Sequence, residues 1–72
     1  MKYRDLIRRL ADDGWVLDRT VGSHQQYRHP TKPGTVTVPA GGKMGNDVPV
    51  GTLNSVLRQA GLERDDSWNI SS

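Results

Sequence analysis

The residues best equipped for acid–base or phosphate chemistry fall in one short run, Ser23-His24-Gln25-Gln26-Tyr27-Arg28-His29, followed by Lys32 and Lys43. Histidine is the side chain whose ordinary pKa, about 6.5, lets it exchange a proton near neutrality. One reaction that fits such a run is metal-free cleavage of an RNA phosphodiester. It needs a base for the ribose 2′ proton, an acid for the leaving 5′ oxygen, and cations beside the charged transition state. His24 qualifies as base or acid, with Arg28, Lys32 or Lys43 as the cation. On spacing alone, the plainer reading, a solvated surface histidine with no role, is the preferred one.

Strand parity decides which of these groups meet solvent. Tyr27 is the one large apolar residue of the run, so it belongs inside, together with the side of Ser23 and Gln25. His24, Gln26 and Arg28 then share the opposite face, and burying all three would be the costly alternative. An imidazole, an amide and a guanidinium on one open face make a surface fit to handle phosphate. His29 has the opposite parity and precedes Pro30, which holds its backbone extended, so a structural role at the strand end is expected. The two histidines do not form a metal pair, because no carboxylate cluster accompanies them, and no cofactor is expected. Ser23 has no triad around it.

The elements that must position these groups are legible from periodicity. Tyr3, Leu6, Ile7 and Leu10 recur at helical spacing, predicting a helix over residues 3–13 that Gly14 ends, with Trp15 folding back on Leu10. Arg4, Arg8 and Arg9 occupy its polar face, which reads first as solvated. Three strands follow. In residues 15–20, Trp15 and Leu17 point one way and Val16, Asp18 and Thr20 the other. Val21-Gly22 makes the turn, residues 23–29 form the second strand, and residues 30–34 (PTKPG) turn again. Thr35 to Val38 alternates as the third strand, with Thr35 and Thr37 on the open face, and Pro39 ends it. Residues 40–47 (AGGKMGND) hold three glycines and little to bury, so a mobile connection is expected. GGKMG lacks the Gly-Lys-Ser/Thr ending of a phosphate loop. Val50, Leu53, Val56 and Leu57 trace a second helix, capped by Gly61 with Leu62 meeting Leu57. The expected class is α+β, in the order α-β-β-β-α, with two helices on one face of an antiparallel sheet. Double-stranded-RNA-binding domains share this arrangement, although fold alone does not assign function.

Composition narrows the setting. The 72-residue chain supports one domain, assigned to residues 1–62, with a polar tail over residues 63–72 that holds Trp68, Ile70 and at most a helical turn. It contains no cysteine, so no disulfide or thiolate zinc site staples it. The start MKYRDLIRRL lacks the apolar stretch of a signal peptide, and no run is long enough to span a membrane, so a soluble cytoplasmic protein is expected. Nine of the ten basic residues but five of the eight acids lie in residues 1–62, which favours a polyanionic partner.

Several segments together resemble the HicA family of toxins: Asp13-Gly14-Trp15, Gly22-Ser23-His24, Tyr27-Arg28-His29-Pro30, Val36-Thr37-Val38-Pro39, Gly51-Thr52-Leu53 and Gln59-Ala60-Gly61-Leu62. They occur in the family's order and spacing across residues 1–62. The chain departs from the pattern in its glycine-rich loop and at Val50, where a basic residue is usual. The resemblance implies a double-stranded-RNA-binding-like fold and an mRNA interferase of a type II toxin–antitoxin system, cutting mRNA without a metal. It implies a cognate HicB antitoxin as partner, and it places the family's Gly-Ser-His histidine on His24. Arg28, Gln26, Lys32 and Lys43 are the expected RNA contacts. Two other readings use the same sheet face: a non-catalytic RNA-binding module, and a protein-interaction subunit.

Overall fold

Apolar residues three and four apart in an α-helix lie on one face, and Tyr3, Leu6 and Leu10 do so here, all buried, with Ile7 half-buried beside them. The computed structural model describes residues 1–62, in the order α1 (Tyr3–Asp12), β1 (Val16–Val21), β2 (His24–Arg28), β3 (Thr35–Val38) and α2 (Val50–Gln59). The expected tail over residues 63–72 lies outside the described residues. The three strands form one antiparallel sheet in the order β1-β2-β3. The α-β-β-β-α order of an α+β fold is therefore as expected.

The core unites both helices with one side of the sheet. Leu53, Val56 and Leu57 of α2 join Leu6 and Leu10 of α1 against Tyr27, Val36 and Val38. Leu6, Leu10, Val36, Val38 and Val56 are the largest fully buried side chains, each contributing on the order of 1.5–3 kcal/mol by leaving water. Tyr27 keeps its hydroxyl satisfied inside by donating to Gln25 Oε1 at 2.8 Å. Burial pushes its phenol above the ordinary tyrosine range, so it stays a donor.

Both helices end in the same device. The Trp15 amide donates to the Leu10 carbonyl at 3.0 Å and the Gly14 amide to that of Ala11 at 3.0 Å. In α2, Leu62 donates to Leu57 at 2.8 Å and Gly61 to Arg58 at 3.1 Å. These are Schellman caps, with Gly14 at φ 105° and Gly61 at φ 70° in the left-handed position.

Three local expectations are corrected. The β1–β2 turn is Gly22-Ser23, with Val21 paired to His24 in the strands; glycine first, at φ 60°, is what a type II′ hairpin demands. His29 lies outside β2. Residues 40–47 are tied down. Ala40 is fully buried, and the amides of Tyr3 and Arg4, at the uncapped start of α1, donate to the carbonyls of Asn46 (3.0 Å) and Met44 (3.2 Å). A helix start leaves its first amides without intrahelical partners, and the loop supplies carbonyls that no side chain there provides. Hydrogen exchange should therefore find the Tyr3 and Arg4 amides protected well beyond those of Gly51 and Thr52 in the first turn of α2. Equal exchange at both sites would show that the loop does not cap α1.

Candidate active site

The tight Gly22-Ser23 turn makes His24 the first residue of β2, on the face away from Tyr27. The β2–β3 register pairs Gln25 with Val38 and Gln26 with Thr37, so Pro39 follows opposite His24. Here the sheet meets α2. His24, Thr37 and Pro39 form one wall of an open cleft of about 350 Å³, and Thr52, Ser55 and Gln59 form much of the other. Among the described residues, His24 is the only ionisable side chain lining it.

Hydrogen bonds organise the α2 wall. Thr37, on the edge strand, donates its amide to Gln59 Oε1 at 3.1 Å, and Gln59 Nε2 donates to Ser55 Oγ at 3.1 Å. The chain of bonds holds α2 beside β3 and fixes the hydroxyl of Ser55 on the cleft. The cleft thus combines one imidazole with hydroxyls and an amide. None of the described carboxylates lines it, so its walls do not repel an anion.

The residues singled out from the sequence divide into two groups. Gln26 and Arg28 share His24's face, as parity requires, and Arg28 is exposed. Lys43 is exposed in the loop whose Gly41 lies against Ser23, at the His24 end of β2. Lys32 stands elsewhere, beyond the far end of β2, a strand length of roughly 13 Å at 3.3 Å per residue away. Its ammonium donates to Asp13 Oδ2 at 2.5 Å and to the Ala60 carbonyl at 3.3 Å. It joins the end of α1 to the end of α2 and is not brought to His24.

His29 takes the structural part expected of it. Its Nδ1 accepts from the amides of Thr31 (3.0 Å) and Lys32 (3.1 Å), which leaves Nε2 to donate to the Asp13 carbonyl at 2.6 Å. Its ring meets Trp15 edge-on, with centroids 5.2 Å apart. Among the described residues no group of three His, Cys, Asp or Glu side chains gathers.

The Asp13 carboxyl is held below the usual aspartate range, first by the hydrogen bond from Lys32, against a smaller opposing effect of burial. A carboxylate whose folded pKa is depressed adds stability at pH values above its unfolded pKa, near 3.9, and loses it as pH falls through the folded value. Lys32→Met should therefore destabilise the protein at neutral pH, and lose less further stability than the wild type as pH falls below about 4. Denaturant titrations at pH 7 and in acid measure both; parallel acid losses would sever Lys32 from Asp13's titration.

Two sets of site residues carry no clear signal in the sequence. Thr52, Ser55 and Gln59 recur at i, i+3 and i+7, a spacing that marks one helical stripe, yet the stripe reads as ordinary solvated surface until α2 is set beside β3. Arg19 is hidden by strict alternation, which puts it on the side of Trp15 and Leu17. The register instead shifts between Leu17 and Arg19, pairing Arg19 with Gln26 and Thr20 with Gln25. Arg19 and Val21 thus face the same way as His24, and Thr20 joins Leu17 on the other side, against the alternation expected of residues 15–20.

Among the described residues no helix is long and apolar enough to cross a membrane. No curated protein sequence matches the chain significantly. The family model described as HicA toxin of bacterial toxin–antitoxin systems matches residues 3–62, a span that contains both helices, all three strands and every residue lining the cleft. The chain belongs to the HicA toxin family, and its place in such a system implies a cognate antitoxin.

Proposed function

We propose that this toxin is a metal-independent endoribonuclease that cuts mRNA in the His24 cleft. The observation that carries the reading is the setting of His24: an exposed imidazole, the only ionisable side chain among the described residues of a cleft otherwise furnished with neutral hydrogen-bonding groups. Residues 1–62 are the RNA-cleaving unit. The cell compartment that suits it is the cytoplasm, where mRNA is translated, and a HicB-type antitoxin is the partner that would hold it silent.

In the proposed reaction His24 takes the proton of a ribose 2′-hydroxyl. The 2′ oxygen attacks the adjacent phosphorus, the bond to the 5′ oxygen breaks, and solvent protonates the departing oxygen. The products are a 2′,3′-cyclic phosphate and a 5′-hydroxyl end. Ser55, Thr52 and Gln59 orient the phosphodiester by hydrogen bonds that cost no reorganisation, and Lys43, in the loop at the His24 end of β2, balances its charge. Arg28, at the opposite end of the strand, holds the RNA chain further along. Lys32 is occupied with Asp13 and contributes to the fold.

The test is cleavage of unstructured RNA by the purified chain in excess chelator. Cyclic-phosphate ends that disappear with His24→Ala support the proposal. Cleavage that needs added metal, or that survives this change, overturns it. RNA bound in a salt-sensitive way but recovered intact would point to a non-catalytic binding module.

A further inference from the structure

The first strand carries a device that neither the family match nor the cleft accounts for. A regular strand sends alternate side chains to opposite faces, and in β1 that rule would put Arg19 on the core side with Leu17. Between Leu17, paired with Tyr27, and Arg19, paired with Gln26, the strand holds one residue more than β2 does. Asp18 and Arg19 together oppose Gln26. This is a β-bulge, which reverses the parity of everything after it and re-aims a side chain. The side chain re-aimed here is a guanidinium, delivered to the open face across from Gln26, two residues along β2 from His24.

We infer that Arg19 and Gln26 form a phosphate-binding subsite next to His24, which takes a phosphodiester group of the RNA chain flanking the bond to be cut. The inference rests on the ribonuclease reading above. Diagonal neighbours in an antiparallel pair stand about 7–8 Å apart, within the span of an arginine side chain. Arg28 lies one step further from the cleft, at the opposite end of β2. The Arg19 side chain is 65% exposed, and its contact with Asp18 uses Nε, at 3.5 Å, leaving both terminal nitrogens to meet an anion side by side. Asp18 orients the guanidinium and also opposes an approaching anion, so it sets the strength of the subsite. Gln26 adds an amide donor from the same rung. Val16 and Val21, exposed on the same face, leave the approach unobstructed.

The experiment uses the full chain carrying His24→Ala, so that RNA stays whole, and follows a fluorescein-labelled single-stranded RNA by anisotropy over a range of salt. Arg19→Gln should weaken binding about tenfold at low salt and reduce the slope of log K against log salt by about 0.7, the value for one lost phosphate contact on a single strand. Arg19→Lys should retain the slope while losing part of the affinity, because an ammonium cannot grip two oxygens. Asp18→Asn should tighten binding. An unchanged melting temperature in Arg19→Gln shows that any loss belongs to the surface. Affinity and slope unchanged in Arg19→Gln, with RNA still bound by the parent, overturn the subsite and leave the ribonuclease reading standing. Failure of the parent itself to bind RNA at low salt overturns both.

Discussion

Replacing His24 with alanine is expected to slow RNA cleavage by at least about a hundredfold, because a positioned acid or base contributes about 10²–10⁴ to such a rate. The loss should fall on kcat more than on KM. The imidazole acts on the proton in flight, whereas the phosphate is held by groups that remain: Ser55, Gln59 and the cations of the open face. Stability should hardly change, since His24 is exposed and its side chain forms no hydrogen bond among the described residues, while its backbone pairing with Val21 survives the substitution. Equal melting temperatures with a collapsed kcat are therefore the expected signature. A collapse of both would assign His24 to the fold, and a rise in KM alone would make it a binding group. His24→Gln sharpens the comparison, because the amide keeps hydrogen bonding and volume but cannot carry a proton at neutral pH.

Gly14→Ala should be among the most damaging single-methyl additions in the chain. Gly14 sits at φ 105°, and a methyl group there would lie 2.7 Å from His29 Nε2 and 3.3 Å from two ring carbons. The backbone strain alone costs roughly 1–2 kcal/mol. The collision adds to it, because His29 cannot retreat without breaking its bond to the Asp13 carbonyl and its acceptance from Thr31 and Lys32. Losing such a partly buried bond costs about 1–3 kcal/mol. The total of about 3 kcal/mol corresponds to a fall of more than about 10 °C in Tm for a domain of this size. Gly34→Ala is the control: its φ is 85°, yet nothing lies within 4 Å of the added methyl, so only the same backbone strain of roughly 1–2 kcal/mol remains. The difference between the two losses isolates the His29 contact. If both variants melt alike, His29 does not brace the end of α1, and its hydrogen bonds are dispensable.

The two predictions probe different histidines, and the separation of their roles is written in the order of residues. Parity around Tyr27 puts His24 on the open face and His29 off it, because a strand alternates and only one residue of that run wants burial. The helix stops at Gly14 and Gly61 are equally legible, since a left-handed residue followed by a large apolar one is a local arrangement with little else to decide it. The order of elements, the third strand and most of the core follow from spacing that short-range geometry enforces.

Other features depend on contacts distant in the chain, and residue spacing does not encode those. Nothing local in AGGKMGND announces that its carbonyls satisfy the amides of Tyr3 and Arg4, some forty residues earlier, so by composition the segment reads as mobile. Lys32 looks like any exposed cation until the fold brings Asp13 and the Ala60 carbonyl to it. The polar stripe Thr52-Ser55-Gln59 becomes a cleft wall only when α2 settles against the free edge of β3. The bulge at Asp18 lies at the same boundary: the residues of β1 alternate acceptably in either parity, and pairing with β2 alone selects the one that turns Arg19 outward. Side-chain periodicity and caps are short-range steric facts carried by neighbouring residues. Hydrogen-bond partners, charge pairs and strand register are decided by which segments meet, and only the folded molecule brings those segments together.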